Sequence, residues 1–247
     1  MFCTMSANAQ GVGGKAGTGG KGGFGGGQAS SSFTPGVTAI AGTCTTGETS
    51  CDLTTMSVTA GQFAIVCIGT DDTTAETYTL TNNNSDPTPS QVTGFPFAGT
   101  TVRGTCFYQK IQTTNASYVL TCGDSNPTPD MGCVGAVYTG IPTSGWDVTL
   151  AGASTGTTSC PYTTTTGTSG TTANASELGI AFFIAPAGPG ATFSGLSGWT
   201  VRAEVSIAGI SVGIADNILS STQTLTATAT LNCGASVASG AFVSSIK

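Results

Sequence analysis

Residues 53–69, Leu53-Thr54-Thr55-Met56-Ser57-Val58-Thr59-Ala60-Gly61-Gln62-Phe63-Ala64-Ile65-Val66-Cys67-Ile68-Gly69, decide the fold. The first seven residues mix β-branched and small polar side chains, and the last eight are a nearly unbroken apolar run. Each is strand-length, and Ala60-Gly61 between them supplies a turn, so the reading is two strands over 53–59 and 62–69 joined as a hairpin.

Similar short segments, broken by Gly, Pro, Asn and Asp, recur at 77–81, 104–112, 116–122, 133–140, 146–151, 178–185, 199–207, 223–231 and 236–246. The Asn-rich stretch 113–116 reads as a second hairpin connection. No window of a dozen residues carries an amphipathic helical period with caps. The expectation is an all-β chain, an antiparallel two-sheet β-sandwich of jelly-roll or Ig-like type. The long connections 82–93, 123–132 and 154–176 are rich in Pro, Thr and Ser and are expected as end loops, where function would reside.

Ahead of this region lies different text. Residues 1–9 end in Ala7-Asn8-Ala9, the small-x-small form read by signal peptidase, and are taken as the remnant of a signal peptide that starts upstream. Residues 10–35 form a Gly/Ser-rich flexible tail, with eleven glycines among residues 10–28. Lys15 and Lys21 are followed by Ala16 and Gly22, and no strand precedes them, so this is no phosphate-binding loop. Residues 36–247 are expected to form a single disulfide-bonded domain. Ser144-Gly145-Trp146-Asp147-Val148 echoes Ser197-Gly198-Trp199-Thr200-Val201, which is read as shared turn chemistry rather than as a repeat.

Of the 247 residues only 7% are charged, and the formal net charge is -6. Nucleic-acid binding needs a basic footprint, which the scattered cations do not provide. No apolar run approaches the ~20 residues of a membrane span. Cys3 would leave with the signal, and the eight cysteines that remain, Cys44, Cys51, Cys67, Cys106, Cys122, Cys133, Cys160 and Cys233, read as a disulfide framework of a secreted, extracellular protein. Local pairs Cys44 with Cys51 and Cys122 with Cys133 are expected. The chain has no His and no Cys-x-x-Cys, which argues against structural zinc and against a thiolate nucleophile.

The order of several motifs carries a resemblance. The stretch Gly-Gly-Lys-x-Gly-Phe-Gly-Gly at Gly19–Gly26 is followed by the turn at Ser57–Gly61 leading into Val66 and Gly69. Thr77–Leu80, Tyr108–Lys110, Ala136–Ile141, Trp146–Thr149 and the closing Thr-rich strands come after. This order resembles a group of uncharacterised secreted bacterial β-sandwich proteins. The resemblance implies export and a β-sandwich and carries no active site.

Residues that could carry chemistry are few. Asp71, Asp72 and Glu76, and Asp124, Asn126 and Asp130, offer the hard oxygen donors that Ca²⁺ takes, although neither stretch fits an EF-hand loop. No other cofactor is implied. Trp146, Trp199 and Tyr162 are the rings available to a glycan-binding surface, with Tyr162 expected as the most exposed. Asn83, Asn115 and Asn174 head N-glycosylation sequons. A glycosidase would need two facing carboxylates, and most acids, including Asp52, Asp86 and Asp216, sit in turn-like text. Triad catalysis without His would leave Lys110 as the base in the folded region.

The functional expectation is therefore a non-catalytic extracellular structural or surface module whose partners are copies of itself or other surface proteins. A lectin-like carbohydrate-binding module, Ca-dependent or not, is the alternative, and a glycoside hydrolase the third reading.

Overall fold

The computed structural model describes residues 38–247 apart from 45–46, 73, 93–96, 99–100, 127–129, 141–145, 149, 187–189, 208 and 234–236. The expected signal remnant and glycine-rich tail lie outside the described residues.

The strands fall into two runs. The first contains β1 (Thr38–Cys44), β2 (Ser50–Asp52), β3 (Met56–Val58), β4 (Phe63–Thr70), β5 (Tyr78–Asn82), β6 (Ser90–Gln91), β7 (Phe97–Ala98), β8 (Arg103–Lys110), β9 (Asn115–Tyr118), β10 (Leu120–Asp124) and β11 (Met131–Tyr138). Nine of them build an inner sheet in the order β1-β11-β4-β8-β6, with β7 also on β8, and an outer sheet β2-β10-β5, while β3 and β9 pair as a separate two-stranded sheet. The second run contains β12 (Ala151–Thr158), β13 (Tyr162–Thr165), β14 (Leu178–Ala185), β15 (Thr192–Ser194), β16 (Thr200–Ser206), β17 (Ser211–Ile218), β18 (Thr228–Asn232) and β19 (Val237–Ile246). Its inner sheet is β12-β19-β14-β17-β16 and its outer sheet β13-β18-β15. All these ladders are antiparallel.

Each run is thus an antiparallel two-sheet sandwich of jelly-roll type. The two share one wiring: β1-β11-β4-β8 corresponds to β12-β19-β14-β17, and β2-β10-β5 to β13-β18-β15. The expected antiparallel sandwich is present, and among the described residues two of them stack within one compact unit.

The inner sheets face each other, which explains the unbroken apolar runs. Every residue of β4, β11 and β14 is buried, the pattern of a sheet covered on both faces. On β4, Phe63, Ile65 and Cys67 point into a core shared by both sandwiches, with Val134, Ile180, Phe182, Ile184, Val212 and Phe242. Their neighbours Ala64, Val66 and Ile68 point into the first sandwich's own core with Leu80, Tyr118, Leu120 and Met131. The second sandwich's core takes Ala181 and Phe183 of β14 with Phe193, Leu225, Leu231 and Val243. The period of two thus serves two cores at once.

A row of glycines lets the inner sheets approach. Gly132 of β11 stands opposite Gly69 of β4, which stands opposite Gly104 of β8. A Cβ on Gly69 would come within 2.5 Å of Ile184 Cδ1 and 2.6 Å of Val212 Cγ1, and one on Gly132 within 2.7 Å of Val212 Cγ2. The bare strip receives the side chains of β14 and β17.

Three disulfides reinforce the stack. Cys44–Cys51 ties β1 to β2, Cys67–Cys106 links directly opposed residues of β4 and β8, and Cys160–Cys233 joins the ends of β13 and β18. Cross-links of this number mark a chain matured in an oxidising, extracellular type of environment. Cys122 and Cys133, paired in the sequence reading, are unbonded buried thiols here. They lie on β10 and β11, on opposite sides of the first sandwich's core, and their side chains touch.

Other expectations change. The turn at Ala60-Gly61 exists, with Gly61 at φ 94° and Gln62 N–H donating to the Thr59 carbonyl at 3.1 Å. Its flanking strands do not pair with each other, since β3 pairs with β9 while β4 pairs with β8 and β11. It is a corner between sheets, and so is the 113–116 connection from β8 to β9. The expected loop 154–176 contains most of β12 and all of β13.

Among the described residues no helix is long and apolar enough to cross a membrane.

Candidate functional site

One end of the first sandwich gathers the acidic residues. There β4 runs out into Asp71 and Asp72, Glu76 leads into β5, β10 ends on Asp124, and Asp130 leads into β11. The strand order places these segments side by side, because β4 pairs with β11 and β5 with β10, Asp124 standing opposite Tyr78. The two separate candidate sets of the sequence are therefore one cluster.

Its hydrogen bonds are specific. Glu76 Oε2 accepts from Thr70 Oγ1 at 2.8 Å and from the Tyr78 hydroxyl, and those two hydroxyls are 2.7 Å apart. Asp71 Oδ1 accepts the Asp130 N–H at 3.0 Å, and Asp124 Oδ1 the Asn126 N–H at 3.1 Å. Asp72 accepts the Thr74 N–H at 2.8 Å through Oδ1 and the Asn126 amide through Oδ2. The turn between β16 and β17 closes over the cluster, since a Cβ on Gly209 would collide with Oδ2 of both Asp130 and Asp71.

Burial sets the electrostatics. Glu76 is 8% exposed and Asp124 6%, and Oε1 of the first and Oδ2 of the second are buried with no hydrogen-bond partner. Loss of water raises the Glu76 carboxyl from 4.5 to about 7; the Tyr78 and Thr70 hydroxyls pull it down, and the Asp124 charge pushes it up. Asp124 is also raised, mainly by burial, as is Asp71, which further feels Asp130 and Asp72. Thr70 and Tyr78 were not legible as members of the site, because their roles depend on β4 and β5 ending at the same level.

No ready coordination shell of three or more Asp, Glu, Cys or His side chains exists among the described residues.

The other acids are used structurally. Asp86 Oδ1 accepts the N–H groups of Gln112 and Thr113, both at 3.0 Å, and so clasps the corner after β8. Asp216, 1% exposed, pairs with Arg202 at 2.7 Å. Glu177, fully buried, accepts the Asn174 N–H at 2.7 Å and Ser245 Oγ at 2.7 Å. Asp52 accepts from Thr121 Oγ1 at 2.6 Å. Lys110 ends β8 on the exposed surface, opposite Phe63 and at the other end of the strand from Arg103.

The aromatic candidates stand apart from one another. Tyr162, expected as the most exposed ring, is only 8% exposed and packs in the second sandwich's core. Trp199 is half-buried against that same core and donates its Nε1–H to the Thr226 carbonyl at 3.3 Å. Trp146 packs on the shared core, edge-on to Tyr108 at 6.0 Å between ring centres. Alternation along β13 turns Tyr162 inward and leaves Thr163 and Thr165 outside.

The sequon asparagines are partly engaged. Asn83 bridges strands, donating to the Ser117 carbonyl at 2.9 Å and accepting the Val119 N–H at 3.0 Å. Asn174 donates to Glu177 at 3.2 Å, and Asn115 accepts the Ser117 N–H at 2.8 Å.

No known protein-family profile, curated protein or solved structure matches this chain.

Proposed function

We propose that this chain is a non-catalytic extracellular structural or surface module that assembles with copies of itself. The observation that carries the reading is the chemistry of the two outer sheets. Their outward side chains include Ser50, Thr79 and Thr81 on one and Thr163, Thr165, Thr192, Ser194 and Thr228 on the other. Such hydroxyl faces, nearly free of charge, can meet a like face without burying unpaired ions. The outer strands β2, β5, β13 and β15 each pair on one side only, and exposed edges of this kind are templates for association. The aromatic side chains that a glycan platform would need are spent on the cores, which favours assembly over the lectin reading.

Light scattering of the purified chain across a concentration series tests this. The expected result is growth into oligomers or fibres that the double variant Thr165→Lys/Thr228→Lys abolishes, because two like charges on one face repel. A chain that stays monomeric at high concentration would refute the assembly.

A further inference from the structure

Three titratable side chains meet at one end of the second inner sheet. Asp147 lies ahead of β12, Glu177 directly ahead of β14, and Lys247 directly past the end of β19. On β19, Ile246 stands opposite Leu178 and bridges to Trp146, which brings all three residues to the same level. Lys247 Nζ donates to Asp147 Oδ1 at 2.7 Å, and the Ala173 N–H donates to Asp147 Oδ2 at 2.5 Å. Glu177 is hydrogen-bonded to the same Asp147 carboxyl, and is held in place by the Asn174 N–H on Oε1 and by Ser245 Oγ on Oε2, each at 2.7 Å. The Asp147 side chain is 4% exposed and Glu177 is fully buried. A plain ion pair accounts for Lys247 and Asp147, but not for a second buried carboxyl set against them. Two adjacent carboxylates facing one ammonium carry an excess negative charge, so one of the two keeps a proton. Burial chiefly, with the Asp147 charge adding to it, raises the Glu177 carboxyl, whereas Asp147, despite burial, is drawn down by Lys247, the Ala173 N–H and Glu177. Glu177 therefore holds the proton and donates it to Asp147.

We infer that Lys247 and Asp147 join through an intramolecular amide bond, with Glu177 as the general acid and base of its formation. The Lys247 ammonium passes one proton to Asp147 Oδ1, and the freed amine attacks Asp147 Cγ, one bond beyond that oxygen. As the C–N bond forms, negative charge gathers on Oδ2, where the Ala173 N–H stands as an oxyanion donor. Glu177 gives its proton to the departing oxygen, the Cγ–Oδ1 bond breaks, and water leaves. The nitrogen then returns a proton to Glu177, so ammonium plus carboxylate has become amide plus water and no oxidant is consumed. Holding amine and carboxyl in contact removes the entropic cost of bringing them together, which is what lets such a condensation proceed. The contact also holds the Lys247 ammonium above its ordinary value, so the free amine is scarce and the bond accumulates slowly after folding. It joins residues 100 apart in the chain and ties the segment ahead of β12 to the end of β19, a cross-link that no reductant opens.

The test is intact mass spectrometry of the full chain, incubated folded for a prolonged period and reduced before measurement, with fragmentation of a proteolytic digest to locate the bond. The expected result is a chain one water molecule lighter than its sequence and observed termini require, and a branched peptide in which Asp147 is joined to Lys247. Lys247→Arg keeps the ion pair but has no amine to form the bond, and should show the full mass. Glu177→Gln keeps the shape of the side chain but has no carboxyl proton to give, and should slow the loss of water at least about tenfold. A native chain that keeps its full mass would overturn the bond. A loss of water that persists in Lys247→Arg would overturn it as well, since it marks an aspartate cyclised on its own backbone. Equal rates in the native chain and Glu177→Gln would overturn the part given to Glu177. If Glu177→Gln fails to fold, Lys247→Arg, a change at a side chain 46% exposed, still decides.

Discussion

Glu76 shows how one side chain links fold and solution conditions. Its carboxyl holds a proton up to about pH 7 in the folded chain, against an ordinary value of 4.5. Between those values the folded state carries more protons than the unfolded state. Stability from this group is therefore complete below the lower value and is lost as pH rises through the upper one. The thermal midpoint should fall between pH 5 and pH 8, and Glu76→Gln should flatten that slope. Identical slopes in native chain and variant would show that Glu76 is not the group responsible. Asp71, Asp124, Glu177 and Glu204 are raised in the same direction and account for what slope remains. At the same scale, Cys122 and Cys133 touch across the first sandwich's core, and burial drives the Cys122 thiol well above its usual range. A small disulfide oxidant or an oxidoreductase would take two electrons and two protons from the pair and close a fourth bond between the sheets. In protein from an oxidising compartment, alkylation after unfolding without reductant should label neither cysteine. Recovery of both in alkylated form would show that they remain thiols.

The elements reveal what the sequence could and could not convey. β4, β11 and β14 were legible because a strand covered on both faces must be apolar throughout. β17 was not, because Ser211, Asp216 and Asn217 break its apolar text. Two of those polar residues find partners on the adjacent strand β16: Ser211 meets Ser206 at 2.7 Å, and Asp216 meets Arg202. β12 and β13 were hidden in Thr- and Ser-rich text that reads as loop until an adjacent strand supplies its ladder. The acidic residues were visible individually, but their convergence depends on strand lengths and pairing. The glycine row tests the inner-sheet contact directly. Gly69→Val places branched methyls against Ile184 and Val212 and should cost about 1–3 kcal/mol in denaturant unfolding. Gly170→Ala, where a Cβ meets nothing within 4 Å, should be near neutral. A Gly69→Val variant as stable as that control would mean that the inner sheets yield freely.

At the scale of the molecule, the duplication of wiring lay outside what sequence text could show. The Trp146 and Trp199 echoes do not mark it: one precedes β12 and the other precedes β16, positions that do not correspond in the two sandwiches. The two sandwiches share a topology but not their side chains, and along the strip Gly132-Gly69-Gly104 the first inner sheet presents glycines to bulky residues of the second. A further consequence lies in the order of synthesis. In both sandwiches the strand that comes last along the chain, β11 or β19, sits between two others, with β1 and β4 or β12 and β14 on its flanks. Neither inner sheet can close before its final strand has been delivered. The first sandwich completes its wiring by Tyr138, yet the face bearing Phe63, Ile65 and Val134 stays bare until the second half arrives. A growing chain thus passes through an interval in which an apolar sheet face awaits its cover.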